Sequence, residues 1–115
     1  MVSGRLSPMS DPREIDVHEL ARLIENGARV IDVREANEYA EGHVPGAVLV
    51  PLSELEARVD SVPADEPVMV ICRSGARSAR ACGYLAELGR DVTNVAGGTM
   101  AWIEAGFDVE TGAGS

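Results

Sequence analysis

Apolar positions recur along the chain with two periods, and the change from one to the other marks its elements. Val17, Leu20, Leu23 and Ile24 repeat at helical spacing and predict a helix over Val17 to Glu25. Asp16 suits its N-cap, with Glu19 as capping-box partner, and Asn26-Gly27 suits its end. Arg29 to Val33 then reads as a strand with apolar residues on both faces. Glu35 to Ala40 predicts a short helix, Gly42 to Gly46 a turn-rich loop, and Ala47 to Val50 a second strand stopped by Pro51. Ser53 can cap a helix from Glu54 to about Val59, with Glu56 completing the box. After a surface connection from Pro63 to Pro67, the apolar run Val68 to Ile71 predicts the central strand.

Gly75 to Leu88 predicts the longest helix, with Gly89 at its C′ position. Its small residues Ala76, Ala79, Gly83 and Ala86 form a stripe expected to lie close to the sheet. Asp91 to Val95 predicts another strand. Gly97-Gly98 turns the chain into a last helix, Thr99 to Ala105, which Gly106 ends; Phe107 to Val109 are expected to pack back. Short strands alternating with helices imply a parallel sheet with helices on both faces and right-handed crossovers.

The chemistry concentrates after the central strand, in Cys72-Arg73-Ser74-Gly75-Ala76-Arg77-Ser78. A cysteine after an apolar strand is by default a small core residue. Here the next residues suit a polar, exposed turn, and ligands of such sheets bind at the carboxyl ends of strands. Unpaired N–H groups at a helix start, the helix dipole and nearby arginine charge all favour thiolate over thiol. Cys72 is therefore the expected nucleophile. The backbone N–H groups of the six-residue loop Cys72 to Arg77 would converge on its sulfur and on an attached anion. Arg73 and Arg77 suit an oxyanion, against the plainer alternative of a solvated face or an ion pair. Arg80 is expected at the surface, Gly75 to permit a positive φ or close approach, and Ser78 to cap or hydrogen-bond within the loop.

Asp32, Arg34 and Glu38 put charge at the end of a buried strand, and Arg34 and Glu38 stand four apart, a spacing suited to pairing that braces the loop. His43, in a Gly-Pro-Gly loop, invites a general-base role, but a structural one is favoured. His18 is expected on a helix surface, Trp102 in or near the core, and Cys82 buried and inert. If Gly75 to Leu88 is helical, Cys82 lies on the order of 10 Å along it from the loop, too far for a disulfide with Cys72.

Three stretches together resemble the rhodanese family, sulfurtransferases that carry sulfur as a cysteine persulfide. Cys72 to Ser78 resembles its active-site loop. Ile31-Asp32-Val33-Arg34 with Glu38-Tyr39 and Gly42-His43-Val44-Pro45-Gly46-Ala47 resembles its upstream motif, and Gly97-Gly98-Thr99-Met100-Ala101-Trp102 its downstream one. The resemblance implies a three-layer α/β/α domain with a central parallel sheet of about five strands. It implies a Cys72 persulfide and donor contacts from Arg73, Ser74, Gly75, Ala76 and Arg77. Asp32, Arg34, Glu38 and His43 would support the structure, without metal or organic cofactor. Arg73 resembles the thiosulfate-type loop and Ser74-Gly75 the mercaptopyruvate-type loop; two arginines favour the thiosulfate dianion. A thiol, cyanide or a protein would accept the sulfur.

Whole-chain properties narrow the alternatives. A chain of 115 residues is one domain, expected over residues 13–109 with a disordered leader 1–12 and a flexible tail 110–115. Ten basic and 19 acidic residues give a net charge of −9, which disfavours nucleic acid and anionic membranes as partners. Every basic residue is arginine, so lysine Schiff-base chemistry is excluded. Two cysteines and two scattered histidines do not build a zinc site. The N-terminus lacks a signal-peptide core, and a cytoplasmic monomer is the expectation. Two other functions share the scaffold. Cdc25-like phosphatases and related arsenate reductases have a loop one residue longer, with arginine six places after the cysteine; here that place holds Ser78, which disfavours them. A persulfide carrier or an interaction module without thiosulfate turnover is the closer alternative.

Overall fold

The apolar run Val68-Met69-Val70-Ile71 is buried along its whole length at the centre of the sheet. The computed structural model describes residues 13–112. Its elements run β1 (Glu14–Ile15), α1 (Val17–Glu25), β2 (Arg29–Asp32), α2 (Ala36–Glu41), β3 (Val48–Leu49), β4 (Val68–Ile71), α3 (Ala76–Glu87), β5 (Val92–Val95) and α4 (Gly98–Glu104). The five strands lie in the order β1-β5-β4-β2-β3, and every neighbouring pair is parallel. This is the expected α/β/α sandwich.

Alternate side chains of the middle strands serve two cores. Ile31, Val68, Val70 and Val92 pack with Ala81, Cys82 and Leu85 of α3 and with Val50, Leu55 and Val62. On the opposite face Val30, Met69, Ile71 and Val95 meet Val17, Leu20, Tyr39 and Trp102. Each fully buried Val, Leu or Ile contributes about 1.5–3 kcal/mol. With both faces covered, β4 has a single register, and the residue that follows it is held at one place. Asp16 caps α1 as expected, accepting the Glu19 N–H at 2.9 Å.

Two expectations are corrected. The helix from Glu54 to Val59 is replaced by two 3₁₀ turns, Leu52–Glu54 and Val59–Ser61. Ser53 caps nothing there; its hydroxyl donates to Glu35 Oε2 at 3.3 Å. A 3₁₀ turn eclipses residues three apart, so Leu52 with Leu55 and Val59 with Val62 reach the core together, and that burial outweighs the capping signal. The small-residue stripe of α3 does not face the sheet. Ser78, Ala81, Cys82 and Leu85 do, at helical spacing, because the helix turns its one leucine inward. The strand β1, too short for any periodicity to reveal, pairs Glu14 with Asn94 and Ile15 with Val95. Finally, Glu110 forms an antiparallel bridge with His43, and the Gly112 N–H donates to Ala40 O at 2.8 Å. Residues 110–112 of the expected tail therefore pack against the loop after α2. The leader 1–12 and tail residues 113–115 lie outside the described residues. Among the described residues no helix is long and apolar enough to cross a membrane.

Candidate active site

Cys72 follows β4 at the carboxyl end of the sheet and is buried. The chain then turns through Gly75, whose φ of +115° is left-handed and needs a residue without Cβ. That turn aims the Gly75 N–H at Cys72 Sγ, 3.1 Å away. One turn into α3 the Ser78 hydroxyl lies 3.3 Å from the same sulfur. Burial pushes the Cys72 thiol up, but donation from the Ser78 hydroxyl and from the N–H groups of Ser78, Gly75 and Ser74 outweighs it, leaving the thiol below its ordinary value. The charge expected of arginine is secondary to these hydrogen bonds.

Helix α4 grips the loop from its other side. The Thr99 N–H and hydroxyl donate to Cys72 O at 2.8 and 3.1 Å, and the Met100 N–H donates to Arg73 O at 3.0 Å. These N–H groups have no partner within their own helix. Gly97 and Gly98 make the approach possible, with φ of +80° and +60°.

The two loop arginines have different surroundings. Arg73 is exposed, donates from Nε to Met100 Sδ at 3.3 Å, and makes no ion pair with another described residue. It lines a cleft of about 290 Å³ shared with Arg34, Glu38, Glu41, Thr99 and Met100. The Arg77 guanidinium instead forms a two-pronged pair with Glu38, both bonds 2.8 Å. Arg34 pairs with buried Asp32 at 2.8 Å and donates to Gly42 O at 2.9 Å. The expected Arg34–Glu38 pair is thus corrected: each takes a different partner, because Asp32 is only two residues from Arg34 and buried with it, while Glu38 lies under the start of α3. Glu38 instead ties α2 to Arg77 at the start of α3. Ser74 and Ala76 are exposed on the turn, and Arg80 is exposed on α3.

The Arg77 partnership holds the Glu38 carboxyl at about 2, against its ordinary 4.5. A depressed carboxylate stabilises the fold fully above its unfolded pKa and loses that contribution as pH falls through its folded value. Stability should therefore decline between pH 4.5 and about 2 by a share that the Glu38→Gln variant lacks. Denaturant midpoints at stepped pH read this; equal slopes for both proteins would show that the pair contributes nothing.

The remaining sequence candidates are placed plainly. His43 is buried, stacks on Tyr39 with ring centroids 3.6 Å apart, and shares a hydrogen bond of 2.7 Å between Nδ1 and Tyr39 O. His18 is exposed and meets Phe107 edge-on at 5.6 Å. Trp102 is buried and donates to Asp108 O at 2.8 Å. Cys82 is buried in the α3 core, and burial pushes its thiol up to about 12. Both cysteines are free. No local pattern singles out Asn94, which is buried and bonded to Ser78, Gly75 and Glu14. Its one signal was an amide in the strand Val92-Thr93-Asn94-Val95, where every position is buried.

Among known proteins, residues 16–105 match the Rhodanese-like domain family. A sulfurtransferase of Allochromatium vinosum is 36% identical over 99 residues, covering 84% of this chain and 92% of that protein. The thiosulfate sulfurtransferase GlpE of Shewanella oneidensis is 32% identical over 99 residues, covering 84% and 98%. The crystal structure of a rhodanese-related protein from Thermoplasma volcanium matches with a TM-score of 0.80 at 36% sequence identity, covering 84% of this chain and 96% of that one. With that match spanning most of the sheet and its helices, and the loop of Cys72 standing at the carboxyl end of β4, the chain belongs to the rhodanese-like domain family.

Proposed function

We propose that this protein is a sulfurtransferase that carries sulfur as a persulfide on Cys72, with thiosulfate as a competent donor. The observation that carries the reading is the Cys72 sulfur at the end of β4, receiving the Gly75 N–H and facing the Ser78 hydroxyl. Donors so placed favour a thiolate at a buried position, which is what nucleophilic catalysis by cysteine requires. In the first step the thiolate attacks the outer sulfur of thiosulfate. A Cys72 S–S bond forms, the S–S bond of the donor breaks, and sulfite leaves with the electron pair. In the second step a thiophilic acceptor attacks the outer persulfide sulfur, and the Cys72 thiolate leaves. No proton is consumed in either step when the acceptor is cyanide.

Of the two loop arginines, Arg73 is the one free to meet the donor. It is exposed at the cleft beside the loop, whereas Arg77 is committed to Glu38. Arg77, tied to Glu38, then keeps the loop in place. Ser78 stands where a phosphatase loop of this scaffold would carry its arginine, and its hydroxyl lies against the sulfur, which supports a single-sulfur cargo over a phosphoryl group.

The deciding experiment is the intact mass of the protein after thiosulfate, then after cyanide. A gain of one sulfur that cyanide discharges as thiocyanate is expected; no gain from thiosulfate would reject it as donor. Arg73→Ala should lower kcat/KM for thiosulfate by about tenfold, the scale of one charge-assisted hydrogen bond. It should leave alkylation of Cys72 by neutral iodoacetamide within about twofold, since no ion pair or sulfur contact is lost there. Unchanged thiosulfate kinetics would remove Arg73 from the donor site. Cys82→Ser should keep sulfur transfer within about twofold of wild type, since a thiol pushed up to about 12 takes no part at neutral pH; a large loss would show that Cys82 participates.

A further inference from the structure

The Ser78 hydroxyl has one proton and three acceptors around it. These are Cys72 Sγ at 3.3 Å, Gly75 O at 3.2 Å and Asn94 Oδ1, with which it makes a short hydrogen bond. The orientation of the Asn94 amide follows from its other side. Its NH₂ group donates to Glu14 Oε2 at 3.0 Å and to Gly75 O at 3.3 Å, and both of these are acceptors only. The amide oxygen must therefore face Ser78, where it competes with the sulfur for the same proton. Ser78 and Asn94 are fully or almost fully buried, so water does not relieve the competition.

We propose that Asn94 is a positioning residue for Cys72: it holds the Ser78 hydroxyl between the sulfur and its own amide oxygen, so that one proton is lent to the sulfur when the sulfur is anionic and withdrawn when it is not. The proposal rests on Cys72 being the nucleophile. In the resting thiolate, Ser78 donates to Sγ. After sulfur transfer the negative charge sits on the outer persulfide sulfur, Sγ becomes a neutral bridging atom and a poor acceptor, and the hydroxyl turns to Asn94 Oδ1. When an acceptor removes the outer sulfur, thiolate charge returns to Sγ and the hydroxyl turns back. No proton leaves Ser78 at any point. Glu14, reaching in from β1, anchors the amide and strengthens its oxygen as an acceptor.

Among the described residues, Arg77 and Cys82 on α3 interact with this sulfur electrostatically, and the exposed Arg73 follows Cys72 in the loop. Behind Arg77 stand Glu38 of α2 and Asp32 of β2. All stay constant in the test, apart from Cys82, which is replaced by serine throughout so that Cys72 is the single thiol. The readout is the pH dependence of Cys72 alkylation by iodoacetamide, which needs no sulfur transfer and so separates failure of this proposal from failure of the proposed activity.

Ser78→Ala should move the midpoint up, leaving about three- to tenfold less reactive thiolate at a pH below it. Asn94→Val, which keeps strand-forming bulk, removes the competing acceptor and should move the midpoint down, with about two- to fivefold more. Added to Ser78→Ala, Asn94→Val should change nothing further, because its effect passes through the hydroxyl. A purely structural Asn94 would instead loosen Gly75, slow alkylation, and do so equally in both backgrounds; that result, or no effect in either, overturns the proposal. Should Asn94→Val fail to fold, Glu14→Gln tests the same hydroxyl from an exposed edge position. It should raise alkylation modestly with Ser78 present and have no effect in Ser78→Ala. A slowing, an effect that persists without Ser78, or no effect with Ser78 present rejects the assignment.

Discussion

Cys72→Ser will take up no sulfur from thiosulfate and release no thiocyanate, a loss on the order of 10⁴-fold or more, the scale on which enzymes fall when their nucleophile is removed. A serine hydroxyl keeps its proton at neutral pH, and an alkoxide at this site would face the same burial penalty that the thiol already meets. The four donors that relieve that penalty for sulfur cannot supply the further several pH units an alkoxide needs. The exchange is nearly isosteric in a tightly packed core, so the thermal midpoint should stay within a few degrees of wild type. Measured together, mass gain, thiocyanate release and unfolding midpoint separate lost chemistry from lost fold. A Cys72→Ser protein that still transfers sulfur would overturn the mechanism outright.

Gly98→Ala should be among the most damaging single substitutions in the chain, although it adds one methyl group. Gly98 has a φ of +60°, and a Cβ there would lie 2.5 Å from both Cys72 O and Arg73 O and 2.6 Å from Arg73 C. These are backbone atoms, so nothing flexible can yield. They also belong to the two residues whose carbonyls Thr99 and Met100 hold. Relief must come from pulling α4 away from the loop, which breaks those hydrogen bonds and unpacks Trp102 from the core. A destabilisation of about 3–5 kcal/mol is expected, the upper range for point substitutions, read as a fall in denaturant midpoint. Alkylation of Cys72 in the surviving folded fraction should lose its thiolate character. Gly89→Ala provides the contrast. Gly89 has a comparable φ of +87° with nothing within 4 Å of a Cβ, so only the backbone term of about 1–2 kcal/mol applies. Equal costs at the two positions would show that the contact between α4 and the loop is not what Gly98 serves.

Much of this site lies in local sequence. An apolar run, a cysteine and a polar Ser-Gly turn before a helix are neighbours in the chain. Their backbone geometry alone brings the Gly75 N–H to the Cys72 sulfur. The alternation of short strands with helices was sufficient for a parallel sheet, and that sheet puts Cys72 at a carboxyl end. Local signals failed where long-range burial was at stake. The capping pattern at Ser53 lost to the core positions of Leu55 and Val62, and the small stripe of α3 lost to the need to bury Leu85.

The partners of charged residues were the least legible part, since a guanidinium reaches any carboxylate that folding brings near. Helical spacing matches Arg34 to Glu38, but Arg34 is held by Asp32, while Glu38 meets Arg77 from 39 positions away. Asn94 meets Ser78 because α3 packs on β5, and Glu14 reaches Asn94 because β1 pairs with β5. The candidate nucleophile, its loop and the layer arrangement are legible from residues alone, because each depends on neighbours in the chain. Folding decides which loop arginine is held in an ion pair and which amide lies against the Ser78 hydroxyl, because those depend on strand order and on which charges are buried together.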